Sequence, residues 1–198
     1  MKKFPAPECC NTMGIWRICL KSSYTSRLSA LFAIPGTSMC RCSAITAANN
    51  STSSRLSLKL TRDCAGHSYG ELQLAGSGRV CGNDPKSLWV GPDRWLLLSR
   101  SQTANAIIDF CDSAFSKRVH IAVDYSSALK TFRVSGDLAR HVLASGTGID
   151  LRTDSFAVGS SCRTRFAQIA AIIVAVSSGI FGLFVDQSFE EYLVKWLA

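Results

Sequence analysis

Apolar and polar residues alternate with a period of two in SLKLTR, from Ser57 to Arg62, which predicts a first strand. The following segment, GHSYGELQL, carries only a weak pattern. Two apolar runs, Leu88 to Val90 and Trp95 to Leu98, then flank Gly-Pro-Asp, whose turn chemistry predicts a hairpin or a bent strand. The period lengthens after Ser101, a candidate helix cap: Ile107, Phe110, Cys111 and Phe115 fall on one helical face, and Lys117 and Arg118 close the helix at its negative dipole end. VHIAVDY and ALKTFRV predict two further strands. GDLARHVLASG predicts a short helix, with Asp137 near its start and Gly146 as its stop.

Between Arg165 and Asp186 lie twenty residues without a charge, FAQIAAIIVAVSSGIFGLFV, the nominal length of a membrane-spanning helix. A spanning helix would have to bury Gln168 and the Ser177-Ser178-Gly179 turn signal. A hairpin of two strands, QIAAIIVAV and IFGLFV, buried on both faces or nearly so, is the preferred reading over a membrane anchor. In the last segment, QSFEEYLVKWLA, Ser188 and Glu191 have the spacing of a capping box. Phe189, Tyr192, Leu193, Trp196 and Leu197 then form an apolar, partly aromatic helical face. That face packs on the chain's own sheet or docks on a partner, and periodicity does not separate the two. The elements together predict an α+β fold, a mostly antiparallel sheet with helices packed on it.

Composition adds a division of the chain. Of the 198 residues, 47% are hydrophobic and 18% charged, which suits one globular domain with an appended segment. The net charge of +8 resides in residues 1–62, with nine Lys or Arg against the single acid Glu8; the remainder holds thirteen of each sign. A balanced body has no basic face for counterion release, so nucleic acid is not an expected partner. Residues 1–54 read as a basic, Cys/Ser-rich, poorly ordered arm, in preference to a transit peptide, and residues 55–198 as the domain. The nine irregularly spaced cysteines suit reduced thiols in the cytoplasm. Cys40 and Cys42 with Cys64 and His67 form the sharpest metal reading, but their spacing matches no regular zinc module.

Ionisable groups are densest in ASGTGIDLRTDSFAVGSSCRT, from Ala144 to Thr164. It contains no histidine, and its hydroxyls and Cys162 have only carboxylates as bases, so it reads as an ordered connection with paired charges. GSGRVCG has the wrong glycine spacing for a dinucleotide fingerprint. His120 and His141 are too dispersed for a dyad. Asp124, beside Tyr125 and Ser126, suits a turn held by backbone amides. No catalytic, cofactor-binding or metal residue is assigned.

The ordered set LWVGPDRWLLL, VDYSSALKTFRVSG, ARHVLASGTGIDLRTDSFAVG with the following RT, and QSFEEYLVKWL resembles the gamma subunit family of heterotetrameric sarcosine oxidase, over roughly Leu88 to Leu197. Arg94 departs from the acidic residue common there. The resemblance implies a fold similar to the first part of the folate-dependent aminomethyltransferases and a non-catalytic accessory role beside alpha, beta and delta subunits. Those partners are expected to hold FAD, FMN, NAD, folate and zinc, none bound by this chain, while the complex oxidatively demethylates sarcosine. Trp95, Asp150, Arg152, Tyr192 and Trp196 become candidate subunit contacts, and neither a membrane nor nucleic acid is an expected partner. A free-standing folate-binding or aminomethyltransferase-like protein is the alternative.

Overall fold

The computed structural model describes residues 54–60 and 64–197 in full, and residues 18–21, 29–32 and 44–48 as backbone. In chain order the elements are β1 (Ile18–Lys21), β2 (Ser29–Phe32), β3 (Ala44–Ala48), β4 (Ser54–Leu60), β5 (Ser68–Tyr69), β6 (Leu72–Gln73), β7 (Val80–Cys81), β8 (Lys86–Gly91) and β9 (Arg94–Ser99). There follow α1 (Ala104–Ala114), β10 (His120–Asp124), β11 (Leu129–Ser135), α2 (Ala139–Gly146), β12 (Ser161–Phe166), β13 (Ile169–Ser177), β14 (Ile180–Asp186) and α3 (Glu190–Leu197).

Two antiparallel sheets carry the architecture, in the strand orders β1-β2-β3-β11-β14-β13-β12 and β10-β4-β9-β8-β7. Three short strands thus fall within residues 1–54, and β3 lies along β11. Cys40 and Cys42 lie outside the described residues.

Strand alternation decides which side chains each layer receives. On β4, Leu56, Leu58 and Leu60 join Trp95 and Leu97 of β9 to face Ile107, Cys111 and Phe115, on and just past α1. The opposite face of that sheet sends Leu88 and Leu96 against Val174 and Phe184 of the larger sheet. The far side of the larger sheet packs Phe132, Ile173, Phe181 and Leu183 under α2 and α3, through Leu143, Leu193 and Leu197. The succession is helix, sheet, sheet, helices. β13 and β14 lie inside it, which is why their sequence is apolar without a polar face.

The uncharged segment is therefore a hairpin. Ser177 pairs with Ile180, and Gly179 takes φ +71° at the turn, where a non-glycine residue would be strained. No helix among the described residues is long and apolar enough to cross a membrane. The predicted caps shift, however. Thr103, not Ser101, caps α1 by accepting the Ala106 N–H at 3.3 Å. No basic residue occupies the last turn of α1, because Lys117 and Arg118 fall beyond its end. At the last helix, Asp186 accepts both the Ser188 N–H (2.9 Å) and its hydroxyl (2.6 Å), starting a short 3-10 turn over Gln187–Phe189 before α3. Ser188 is thereby engaged with Asp186, and Glu191 instead pairs with Lys195 one turn on, so the capping-box arrangement gives way.

Candidate functional site

α2 delivers the chain into the polar connection between Thr147 and Ser160. Gly146 ends that helix for a packing reason: a Cβ there would stand 2.5 Å from the Phe166 ring. Leu151 and Phe156 anchor the connection by burying their side chains in the core under α2 and α3. Arg140, from α2, donates Nη1 to the Leu151 carbonyl and to that of Phe156 at 3.3 Å, with its guanidinium 5.0 Å from the Phe181 ring centroid.

Just before Leu151, Asp150 gathers donors. Its Oδ1 accepts the Arg152 backbone N–H and Nε at 3.0 Å each, and its Oδ2 accepts Arg152 Nη2 and the Ser155 hydroxyl at 2.7 Å each. The Arg152 guanidinium, then its backbone N–H, then the Ser155 hydroxyl hold the carboxyl well below the usual carboxylate range. An acid so stabilised as its anion is unsuited to exchange protons near neutrality. The arrangement shapes the loop, and it presents an Arg152 side chain 83% exposed. Asp154 and Arg163 are exposed as well, and Arg165 donates to the Gln168 side chain at 2.7 Å.

β12 returns into β13 through a two-residue turn, Ala167 and Gln168, with φ of +49° and +70°. Glycine or asparagine ordinarily fills such positions, and other residues there cost roughly 1–2 kcal/mol each. Packing holds the turn. Gly146 accepts the Ala167 N–H at 2.9 Å, the Tyr192 hydroxyl donates to the Ala167 carbonyl at 2.8 Å, and Trp196 meets Phe166 edge to face at 5.2 Å between centroids. The apolar face that runs from the 3-10 turn into α3 is thus divided: Leu193 and Leu197 are buried, whereas Phe189, Tyr192 and Trp196 remain 41%, 42% and 37% exposed. Two of the candidate contacts, Tyr192 and Trp196, meet here around a strained turn.

The other candidates disperse. Trp95 is buried, and its indole N–H donates to the Ala75 carbonyl at 2.8 Å, so its side chain belongs to the chain's own core and offers a partner no surface. His120 bonds Asp112 through Nε2 at 2.8 Å, and the Arg118 carbonyl, then Asp112, raise its pKa above the ordinary value. His67 and His141 are exposed. Cys64 is buried and accepts Arg118 Nη1 at 3.0 Å, while burial pushes the Cys111 thiol up to about 12. Among the described residues no group of three or more metal-donor side chains gathers. Asp124 accepts the Ser126 N–H at 2.9 Å and its hydroxyl at 2.6 Å, as a turn-ordering carboxylate should.

Two features escape sequence patterns. Ala-Gln carries no turn signal, and only the two-residue gap between strands β12 and β13 could have located it. Arg55 is the other: it is 5% exposed, and its Nη1 donates to the carbonyls of Ser126 (3.1 Å) and Leu129 (2.6 Å), tying β4 to the entry of β11. Burial lowers its pKa from the usual value. Alternation along SRLSLKL places Arg55 on a polar face, where it resembles any solvated cation.

Comparison with known proteins agrees with this architecture. A solved heterotetrameric sarcosine oxidase from Corynebacterium sp. U-96, in complex with pyrrole 2-carboxylate, contains a chain similar in fold, with a TM-score of 0.67 and 23% identity, over 79% of this chain and 82% of that one. No curated protein matches the chain. The family model described as sarcosine oxidase, gamma subunit family, matches residues 65–198, more than half of the sequence and all of the region holding α1 to α3. On that match the chain belongs to the sarcosine oxidase gamma subunit family.

Proposed function

We propose that this chain is a non-catalytic accessory subunit of a heterotetrameric sarcosine oxidase, the assembly that oxidatively demethylates sarcosine to glycine with release of a one-carbon unit and hydrogen peroxide. The family match across residues 65–198 carries the reading. Alpha, beta and delta subunits are the partners, and they hold FAD, FMN, NAD, folate and zinc, whose redox and one-carbon chemistry the complex uses in the cytoplasm. The geometry supports a contact role: Tyr192 and Trp196 expose aromatic surface on a helix seated by Leu193 and Leu197, and Asp150 fixes Arg152 outward on an anchored loop. Rigid aromatic and arginine side chains are favoured anchors at protein interfaces. Trp95, being buried, drops out of this contact set.

Purification of the chain alone and with its three partner subunits tests the reading. Co-purification with flavin-bearing subunits, and no sarcosine oxidation by the isolated chain, is the expected result. An isolated chain that turns over sarcosine, or one that never joins flavin-bearing partners, defeats it. Titration of the lone chain with folate should leave its tryptophan fluorescence unchanged; saturable binding would favour the free-standing folate protein.

A further inference from the structure

The five-stranded sheet ends at β10, which among the described strands pairs only with β4. The Tyr125 N–H donates to the Arg55 carbonyl at 2.7 Å. Antiparallel pairing alternates, so the backbone groups of Val123 and Ile121 also turn toward β4, and those of His120, Ala122 and Asp124 turn outward. Nothing among the described strands pairs with them.

The other ends of the two sheets that have described side chains are managed differently. β7 has two residues and runs into the bridge between Arg79 and Ser160, where Val80 N–H donates to Gly159 at 2.8 Å and Ser161 N–H to Gly78 at 2.9 Å. β12 carries exposed Arg163 and Arg165, and the Thr147 hydroxyl meets that of Thr164 at 3.1 Å. Such stitching and charge are how sheet edges avoid unwanted pairing. β10 has no such stitching, and its ionisable end residues are engaged within the chain, His120 with Asp112 and Asp124 with the Ser126 hydroxyl; HIAVD contains no proline, lysine or arginine, and its register with β4 is unbroken.

The edge is also apolar on one face. Ile121, Val123 and Tyr125 are 57%, 46% and 40% exposed and point to the same side. The opposite face is occupied, since Ala122 packs on the core beneath α1. We propose that the outer edge of β10 receives an extended segment of a partner subunit, which adds a strand to the sheet and covers Ile121, Val123 and Tyr125 with alternate apolar side chains. This rests on the accessory-subunit reading.

Charge selects the occupant. Exposed Lys59 and Arg94 lie in the cross-strand row of Ile121, which calls for an acidic residue at that end of the incoming strand. A second copy pairing symmetrically about Ala122 would bring Val123 and Tyr125 there, and no carboxylate on that face. A heterologous strand is therefore the occupant.

The test uses the full chain co-expressed with its three partner subunits. Hydrogen exchange on the wild-type complex should slow the Ala122 and Asp124 amides at least tenfold relative to the free chain. The double variant Ile121→Lys, Val123→Lys should lower co-purified flavin subunit at least tenfold while the free chain keeps its melting temperature. Unchanged exchange at both amides overturns the proposal, whatever the variant does, and so does a folded variant that co-purifies at the wild-type level. A wild-type chain that is dimeric by light scattering, and monomeric once substituted, overturns it in favour of a second copy. If the wild-type chain joins no partner, the subunit reading falls as well, so the two failures are distinct.

Discussion

Arg55 and Arg152 use the same guanidinium in opposite ways. Arg55 is buried at the seam between the two sheets and is held by carbonyl oxygens, whereas Arg152 stands in solvent and is held by a carboxylate. Among the described residues, Arg152 is the one of these two arginines in a salt bridge. Water screens an exposed pair and competes for its hydrogen bonds, so such a pair contributes little. A buried cation has no water to return to, so each carbonyl that receives it is required, and losing the arrangement is expensive. The difference assigns the position of the polar connection 147–160 to the buried Leu151 and Phe156 and to the Arg140 donation to their carbonyls, and not to the exposed Asp150–Arg152 pair.

Arg55→Leu should have the largest effect. It strips a charged donor from the Ser126 and Leu129 carbonyls, at about 1.5–3 kcal/mol per bond, so a total of roughly 4 kcal/mol is expected in denaturant unfolding. A loss below about 1 kcal/mol would break the contrast. Leu151→Ala comes next, at about 3 kcal/mol, because the cavity lies in the core that α2 and α3 share.

The half-exposed His120–Asp112 pair lies between the extremes, with side chains 14% and 62% exposed. The Arg118 carbonyl, then Asp112, raise the folded pKa of His120 above 6.5, so these contacts stabilise the fold fully below that value and their contribution disappears as pH rises through the folded value. NMR titration should place His120 above 6.5, and Asp112→Asn should lower it and flatten the pH dependence of unfolding. The smallest effect belongs to Asp150→Asn. The melting temperature at neutral pH should be unchanged, although Arg152 should gain mobility in side-chain relaxation; a clear drop in melting temperature would mean that the charges, not the apolar anchors, hold the loop.

The elements most legible in advance were those in which one pattern had one interpretation. Ser178 and Gly179 marked a turn inside the uncharged segment, and Ile107, Cys111 and Phe115 marked the buried side of α1. Caps were less legible, because several polar residues compete within a turn: Thr103 won over Ser101, and Asp186 engaged Ser188. Trp95 illustrates the limit for contact residues. Its indole finds the Ala75 carbonyl twenty residues away, a partner that composition does not reveal.

Local order was decided by the sequence alone, since hydrophobic periodicity and turn chemistry act over a few residues: two apolar strands from 169 to 186, an amphipathic last helix, and a charge-balanced body behind a basic front. Tertiary structure alone decided which of those apolar faces stayed exposed. Leu193 and Leu197 were covered while Tyr192 and Trp196 were not, and Ile121 and Val123 were left on an open edge, because coverage depends on neighbours brought together from distant positions in the chain. The same long-range assembly buried Arg55 against carbonyls more than seventy residues on, where its charge is solvated by backbone instead of water.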